Sequence, residues 1–367
     1  MSLDVDPGDS ALPELLGGAV DEAFLALPRV AGLFRKPRPV DRRTLEKELD
    51  YYFEQGFIEN PRLFFTFPHT LPSHEILETK PFPSGMRQVI GFASPYAPRN
   101  PLVAGRFSSF PENRTGYLVR WTHGREGVKT VLCLHGYLLG HPGQAQRMFR
   151  IDKLFGMGLD VALFITPFHW RRRPARRSLR GIFLQPGDPA MTCECFGQAV
   201  SDLAASFGIL ERLGSGPVGV IGASLGGYLA GLFSCLQDTP DFTAMMVPAV
   251  DFSTPAGPET AKLPFPVDTS LLEKMRRVYT LHSPLNFLPR VPISRILVVA
   301  SRGDRLCPFD KTRLLCGRWG WPELHALRGG HWLVFDSRRR GRAWYSFLRR
   351  MGFLHTEDLK NTLPSCT

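Results

Sequence analysis

Chemistry can start at Gly222-Ala223-Ser224-Leu225-Gly226, the single G-x-S-x-G in the chain. The apolar run Pro217-Val218-Gly219-Val220-Ile221 precedes it, and a helical pattern over 225–237 follows. A strand–turn–helix setting is what a nucleophile elbow requires: a sharp turn strains the serine and lifts its hydroxyl to the C-terminal edge of a sheet. Small neighbours at 222, 223 and 226 let that turn close. A plain Gly-rich connection between strand and helix is the alternative reading.

A serine hydroxyl attacks only with a base beside it, and that base has to come from elsewhere in the chain. Gly329-Gly330-His331-Trp332 follows a weak last strand, and its two glycines allow a loop to carry the imidazole of His331 toward Ser224. His282 and His325 are rivals, but the first precedes Pro284 and the second falls inside the strand. The base in turn needs a carboxylate to hold its tautomer. Asp304 ends the turn Ser301-Arg302-Gly303-Asp304 after the apolar run 296–300, and Asp251 is its rival after Val250. The chain order Ser224, Asp304, His331 suits this architecture. For the developing oxyanion, two backbone amides are expected to serve, Leu225 directly after the serine and Tyr137 after His135-Gly136. His135 is expected to brace that loop by hydrogen bonding.

The four segments together, His135-Gly136, the Ser224 elbow, Gly303-Asp304 and Gly330-His331, resemble the α/β-hydrolase superfamily over roughly residues 116–352. The resemblance implies ester, thioester or amide hydrolysis with no metal and no organic cofactor. More narrowly, Pro167-Phe168-His169-Trp170-Arg171-Arg172 is similar to a segment of hydrolases akin to abhydrolase domain-containing protein 18.

The elements needed to position these residues are legible as strands at 116–121, 130–134, 161–165, 218–221, 242–247 and 296–300, with a weaker one at 323–327. Several are apolar throughout, as strands covered on both faces are. Phe196, Val200, Leu203, Phe207 and Leu210 form a helical stripe between them. The expectation is an α/β fold, a mostly parallel sheet with helices on both faces. It carries an N-terminal extension over 1–115 packed on the core, a small cap insertion over about 252–290 and a tail over 353–367. In the extension, Leu12, Leu15, Leu16, Ala19, Ala23 and Leu27 predict a core-packed helix ending at Pro28. Leu45, Leu49, Tyr52 and Phe53 predict a second helix capped by Asp41. The Pro- and Phe-rich stretch that follows predicts an extended segment laid over the sheet.

The chain has 367 residues, 43% hydrophobic and 22% charged, which excludes bulk disorder. Its formal charge of +11 is concentrated in two runs, six Arg within 171–180 and six within 338–350. The first follows a parallel strand, so His169, Arg171 and Arg172 are candidate binding residues for an anionic substrate, with a solvated surface loop as the other reading. The second sits on the last helix, read either as a solvated face or as a contact for an anionic membrane. No nucleic-acid motif accompanies either run, so a nucleic-acid partner is not expected. Seven Cys without metal-ligand spacing, and an acidic N-terminus, predict free thiols in a cytoplasmic protein. The leading expectation is a serine hydrolase forming an acyl-enzyme from a small-molecule or lipid ester. Acyl transfer on the same triad, or a non-catalytic binding protein retaining the fold, are the alternatives.

Overall fold

Apolar side chains alternate between two destinations along the central strands, and that alternation builds the layers. Leu132, Leu134, Ala162, Phe164, Val220 and Val298 enter one hydrophobic cluster, while Val131, Cys133, Val161, Leu163, Ile165, Ile221, Leu297 and Val299 enter another. A strand with two apolar faces is stable only when both are covered. The computed structural model describes residues 11–31, 41–175, 182–185, 187–253 and 263–354, with the backbone alone over 24–31.

The strands are β1 (His74–Phe82), β2 (Gly85–Ala93), β3 (Thr115–Thr122), β4 (Thr130–Leu134), β5 (Asp160–Ile165), β6 (Val218–Ala223), β7 (Thr243–Met246), β8 (Ile296–Ser301) and β9 (Glu323–Leu327). They form one sheet in the order β1-β2-β3-β5-β4-β6-β7-β8-β9. Pairing is antiparallel from β1 through β3 to β5 and parallel from β5 to β9. Parallel pairing aims the C-terminal ends of β4 to β9 at one edge, where the loops bearing the candidate residues emerge.

The helices are α1 (Leu12–Ala31), α2 (Arg42–Glu54), α3 (Pro101–Ser108), α4 (Pro142–Met148), α5 (Ile151–Gly156), α6 (Pro189–Arg212), α7 (Leu225–Leu236), α8 (Thr269–Thr280), α9 (Phe309–Arg318) and α10 (Ser337–Arg350). Helices α2, α6, α7 and α8 contribute to the first cluster, and α5 and α10 to the second. Asp41 caps α2 by accepting from the Thr44 amide. The Glu194 carboxylate of α6, fully buried, fastens the N-terminal third to the sheet. It accepts from the Tyr52 and Tyr96 hydroxyls at 2.9 and 2.7 Å and from the Arg99 and Asn100 amides at 2.7 and 3.1 Å.

Three expectations are corrected. The stretch read as extended contains the β1–β2 hairpin, which continues the sheet. Pro81 is tolerated there because β1 is an edge strand with one unpaired side. Helix α1 runs through Pro28 and is turned over relative to its leucine stripe. Leu12, Leu15, Leu16 and Val20 are exposed, while Gly17, Gly18 and Asp21 are buried. Finally, α8 packs on α2 and α6 through Leu271, Met275 and Val278 and is not on the wall of the cavity described below. Residues 254–262, the rest of the Arg run at 176, 177 and 180, and the tail from 355 lie outside the described residues.

Candidate active site

Backbone contacts at the end of β6 dictate glycine. A Cβ on Gly226 would stand 1.9 Å from the Leu134 carbonyl oxygen, and one on Gly222 would stand 2.0 Å from that of Gly226. With those approaches allowed, Ser224 adopts φ 56°, ψ −117°, a left-handed strained conformation for a residue with a Cβ. Its amide donates to Met246 and its carbonyl accepts from Tyr228 and Ala249, so the strain is held by hydrogen bonds from β7 and α7. The Leu225 amide opens α7, and the Gly136 backbone packs against Ser224: a Cβ there would be 3.5 Å from that of the serine.

The loop after β4 is braced by two buried imidazoles. His135 offers Nδ1 to the Gly136 carbonyl at 2.9 Å and accepts from the Thr166 amide at Nε2 at 3.2 Å. His169 does the same between the Pro167 carbonyl, at 2.8 Å, and the Leu138 amide, at 3.1 Å. Each bond set fits the neutral ring with its proton on Nδ1. Burial pulls His135 down to about 4. It pulls His169 to about 3, with the neighbouring His135 adding to the effect. His282, buried against Phe196 and bonded to the Tyr228 hydroxyl, is also pulled to about 3 by burial.

These three histidines carry a pH dependence of stability. Their native pKa values lie below an unfolded value near 6.5. Stability is therefore complete above that value and is lost as pH falls through the window down to about 3 to 4. Each group contributes about 1.4 kcal/mol per pH unit inside the window. Scanning calorimetry at pH 7 and pH 5 is expected to show Tm falling by roughly 5 °C or more. An unchanged Tm would mean that these rings are solvated.

His331 Nδ1 lies 2.7 Å from Asp304 Oδ2. The other carboxylate oxygen accepts from the Leu306 and Cys307 amides at 2.9 and 2.6 Å. Gly329, at φ 108°, makes the sharp turn that returns His331 to the sheet edge. Asp251, the rival acid, accepts from Ser253 and from Lys311 Nζ at 3.0 Å; burial raises its pKa, but these bonds carry it below the usual carboxylate value. The rival histidines are engaged elsewhere, His282 with Tyr228 and His325 with Glu323.

Ser224, Leu225, Tyr137 and His331 all line one cavity of about 830 Å³, whose walls include Ile221, Met246, Phe252, Leu306 and Trp344. His169, Arg171 and Arg172 are not on its wall, which corrects their expected role. Arg172 is fully buried and bonds Asp202 at 2.7 Å and the Ile165 and Asn113 carbonyls at 3.1 and 3.0 Å. Arg171 pairs with Glu78 and lies over Trp170. The anchored arginine fixes the loop; it faces the core because a buried carboxylate waits there.

Asp304, Cys307 and His331 are the described His, Cys, Asp and Glu side chains whose ligand atoms converge, all within 4.8 Å of one another. The carboxylate and imidazole are already bonded to each other, and burial pushes the Cys307 thiol well above its usual range, so this set is poorly suited to a metal.

Sequence reasoning missed Asp21. Its buried carboxylate reaches from α1 to accept the His331 amide at 2.8 Å, the Trp332 amide at 3.2 Å and the Arg305 amide at 3.0 Å. The signal was the Gly17-Gly18 pair one turn before it, small residues on the same helix face.

No family model matches this chain. It is 27% identical over 315 residues to the uncharacterized proteins MT2702 and Rv2627c of two Mycobacterium tuberculosis strains (CDC 1551 / Oshkosh and ATCC 25618 / H37Rv), covering 83% of this chain and 74% of each relative. Among solved structures, the acetyl xylan esterase from Paenibacillus sp. R4 superposes with TM-score 0.54 at 14% identity, over 87% of this chain and 97% of that one. Acetyl xylan esterase 1 from Thermoanaerobacterium sp. JW/SL YS485 gives TM-score 0.55 at 14% identity, over 85% and 99%. The fold is thereby the α/β-hydrolase fold. The narrower likeness of the 167–172 segment rests on those residues alone. No helix among the described residues is long and apolar enough to cross a membrane.

Proposed function

We propose that this chain is a serine hydrolase of carboxylic esters that works through an acyl-enzyme. The observation that carries the reading is the strained Ser224 on the same cavity as His331, whose far ring nitrogen is held by Asp304 at 2.7 Å. Ser224 Oγ attacks the ester carbonyl while His331 Nε2 takes its proton. The Leu225 and Tyr137 amides receive the oxyanion, and His331 returns the proton to the departing alkoxide. Water then repeats the sequence on the acyl-enzyme, releasing the acid and freeing Ser224. Asp304 holds the ring's orientation and stabilises the imidazolium. That the two esterases named above share this fold is consistent with the reading.

Intact-mass spectrometry after exposure to a fluorophosphonate tests it. Wild type is expected to gain one adduct, Ser224→Ala none, and His331→Ala an adduct formed at least about a hundred-fold more slowly. A well-folded wild type that stays unlabelled would overturn the proposal.

A further inference from the structure

The cavity that holds Ser224 and His331 also touches the first turn of α10 and the junction between α4 and α5. Arg338 and Arg340 line it from α10, and Arg150 lines it from the junction. None of the three has a carboxylate partner among the described residues. Other arginines here do have one, Arg172 with Asp202 and Arg106 with Glu48 and Asp188.

The surroundings add to the excess of positive charge. Helix N-termini carry partial positive charge and favour acids in the first turn. The first turn of α10 contains no acid; it reads Ser337-Arg338-Arg339-Arg340. Asp336, just before it, is taken up by the Arg328 guanidinium and amide. Crowding by protein and the like charge of Arg150 both lower the pKa of Arg340. All three arginines are exposed, so the free protein holds solvated cations at the mouth of an apolar cavity, where a bound oxyanion would pair with them. Met148, Phe149, Ile221, Met246 and Trp344 supply the apolar wall of the same cavity.

We propose that Arg150, Arg338 and Arg340 form an anion subsite that takes the phosphate or carboxylate of an amphipathic ligand whose hydrocarbon part occupies the rest of the cavity. Guanidinium forks match both oxyanions. Building on the hydrolase reading above, the ligand is an ester bearing its charge away from the scissile carbonyl. The subsite replaces the 169–172 loop as the source of selectivity for charge.

The test has a binding arm that needs no turnover and a kinetic arm that does. Calorimetry with the full chain would compare decyl phosphate, decanoate and neutral decanol, in wild type and in the Arg150→Gln/Arg340→Gln double variant. At least one anion is expected to bind wild type about 30-fold more tightly than decanol, and to lose that advantage in the double variant. The tighter of the two anions identifies the headgroup. Arg339→Gln, on the same turn but off the cavity wall, is the control and should bind as wild type does. Equal binding of all three ligands to wild type, or an equal loss in Arg339→Gln, would overturn the subsite. In the kinetic arm, the ratio of kcat/KM for an ω-carboxy-decanoyl or ω-phosphonooxy-decanoyl ester to that for the neutral decanoyl ester should exceed about 10 in wild type and fall toward 1 in the double variant. If anions bind as expected but wild type neither turns over esters nor takes up fluorophosphonate, the hydrolase reading fails and the anion subsite stands.

Discussion

Asp304→Asn is expected to lower kcat/KM by about a thousand- to ten-thousand-fold with little change in fold. The reason is in the hydrogen bonds of the carboxylate. Asp304 Oδ1 is fixed by two donors, the Leu306 and Cys307 amides, so the amide oxygen of an Asn would be drawn to that position. Its NH2 group would then face His331 Nδ1, which now accepts where it had donated at 2.7 Å. The ring proton moves to Nε2, the nitrogen that takes the proton of Ser224 in the proposed mechanism, and the proposed base is disabled without a change of shape. Asp251→Asn is the control. It breaks a half-exposed pair with Lys311, which is worth no more than about 1 kcal/mol, and kcat/KM should stay within roughly three-fold of wild type. If the Asp251 variant lost more activity than the Asp304 variant, the roles of the two acids would be exchanged.

What could be read in the chain without coordinates follows from where each residue finds its partners. The strands β4 to β8 were legible because both their faces are apolar, a pattern that survives in any context, whereas β9, with Glu323 and His325, gave the weaker signal. The elbow was legible because its constraints are local: Gly222 and Gly226 are demanded by backbone atoms within a few residues or on the adjacent strand. The β1–β2 hairpin was not, since β1 is mostly exposed, carries Pro81 and offers no alternation of its own. The orientation of α1 was hidden for a different reason. Its leucine stripe satisfies the rule for a core-facing helix, yet glycine and aspartate face inward because they match two glycine-bearing loops some 290 to 310 positions later. Arginines are equally mute in sequence. Arg172 and Arg340 are alike until Asp202 is found beneath one and an open cavity beside the other.

Asp21→Ala should cost activity well beyond what its loss of stability explains. Helix α1 lies in backbone contact with both loops that carry the candidate acid and base. A Cβ on Gly17 would stand 2.0 Å from the Gly330 nitrogen, and one on Gly303 would stand 2.6 Å from the Glu14 carbonyl oxygen. Into that contact Asp21 delivers a buried carboxylate that gathers the amides of Arg305, His331 and Trp332. One side chain therefore fixes the residue after Asp304 and the backbone of His331 itself. Truncation leaves three amides to find other acceptors, at a cost of about 3 kcal/mol, and frees the two loops to drift apart. A displacement of about 1 Å at a catalytic group can cost a hundred-fold in rate, so kcat is expected to fall by about 10- to 100-fold while KM for a neutral ester changes little. Fluorophosphonate labelling should slow in parallel, because it too depends on the base reaching Ser224. Asp21→Asn, which keeps one acceptor oxygen, should fall between wild type and the alanine variant in kcat. All three would be assayed well below their own melting temperatures. An alanine variant with lowered Tm but wild-type kcat and labelling rate would reduce Asp21 to a staple of the fold. A drop in kcat with the loops misaligned makes α1 a positioning element of the site, which is a reason for the chain to keep a helix whose Leu12, Leu15 and Leu16 face outward.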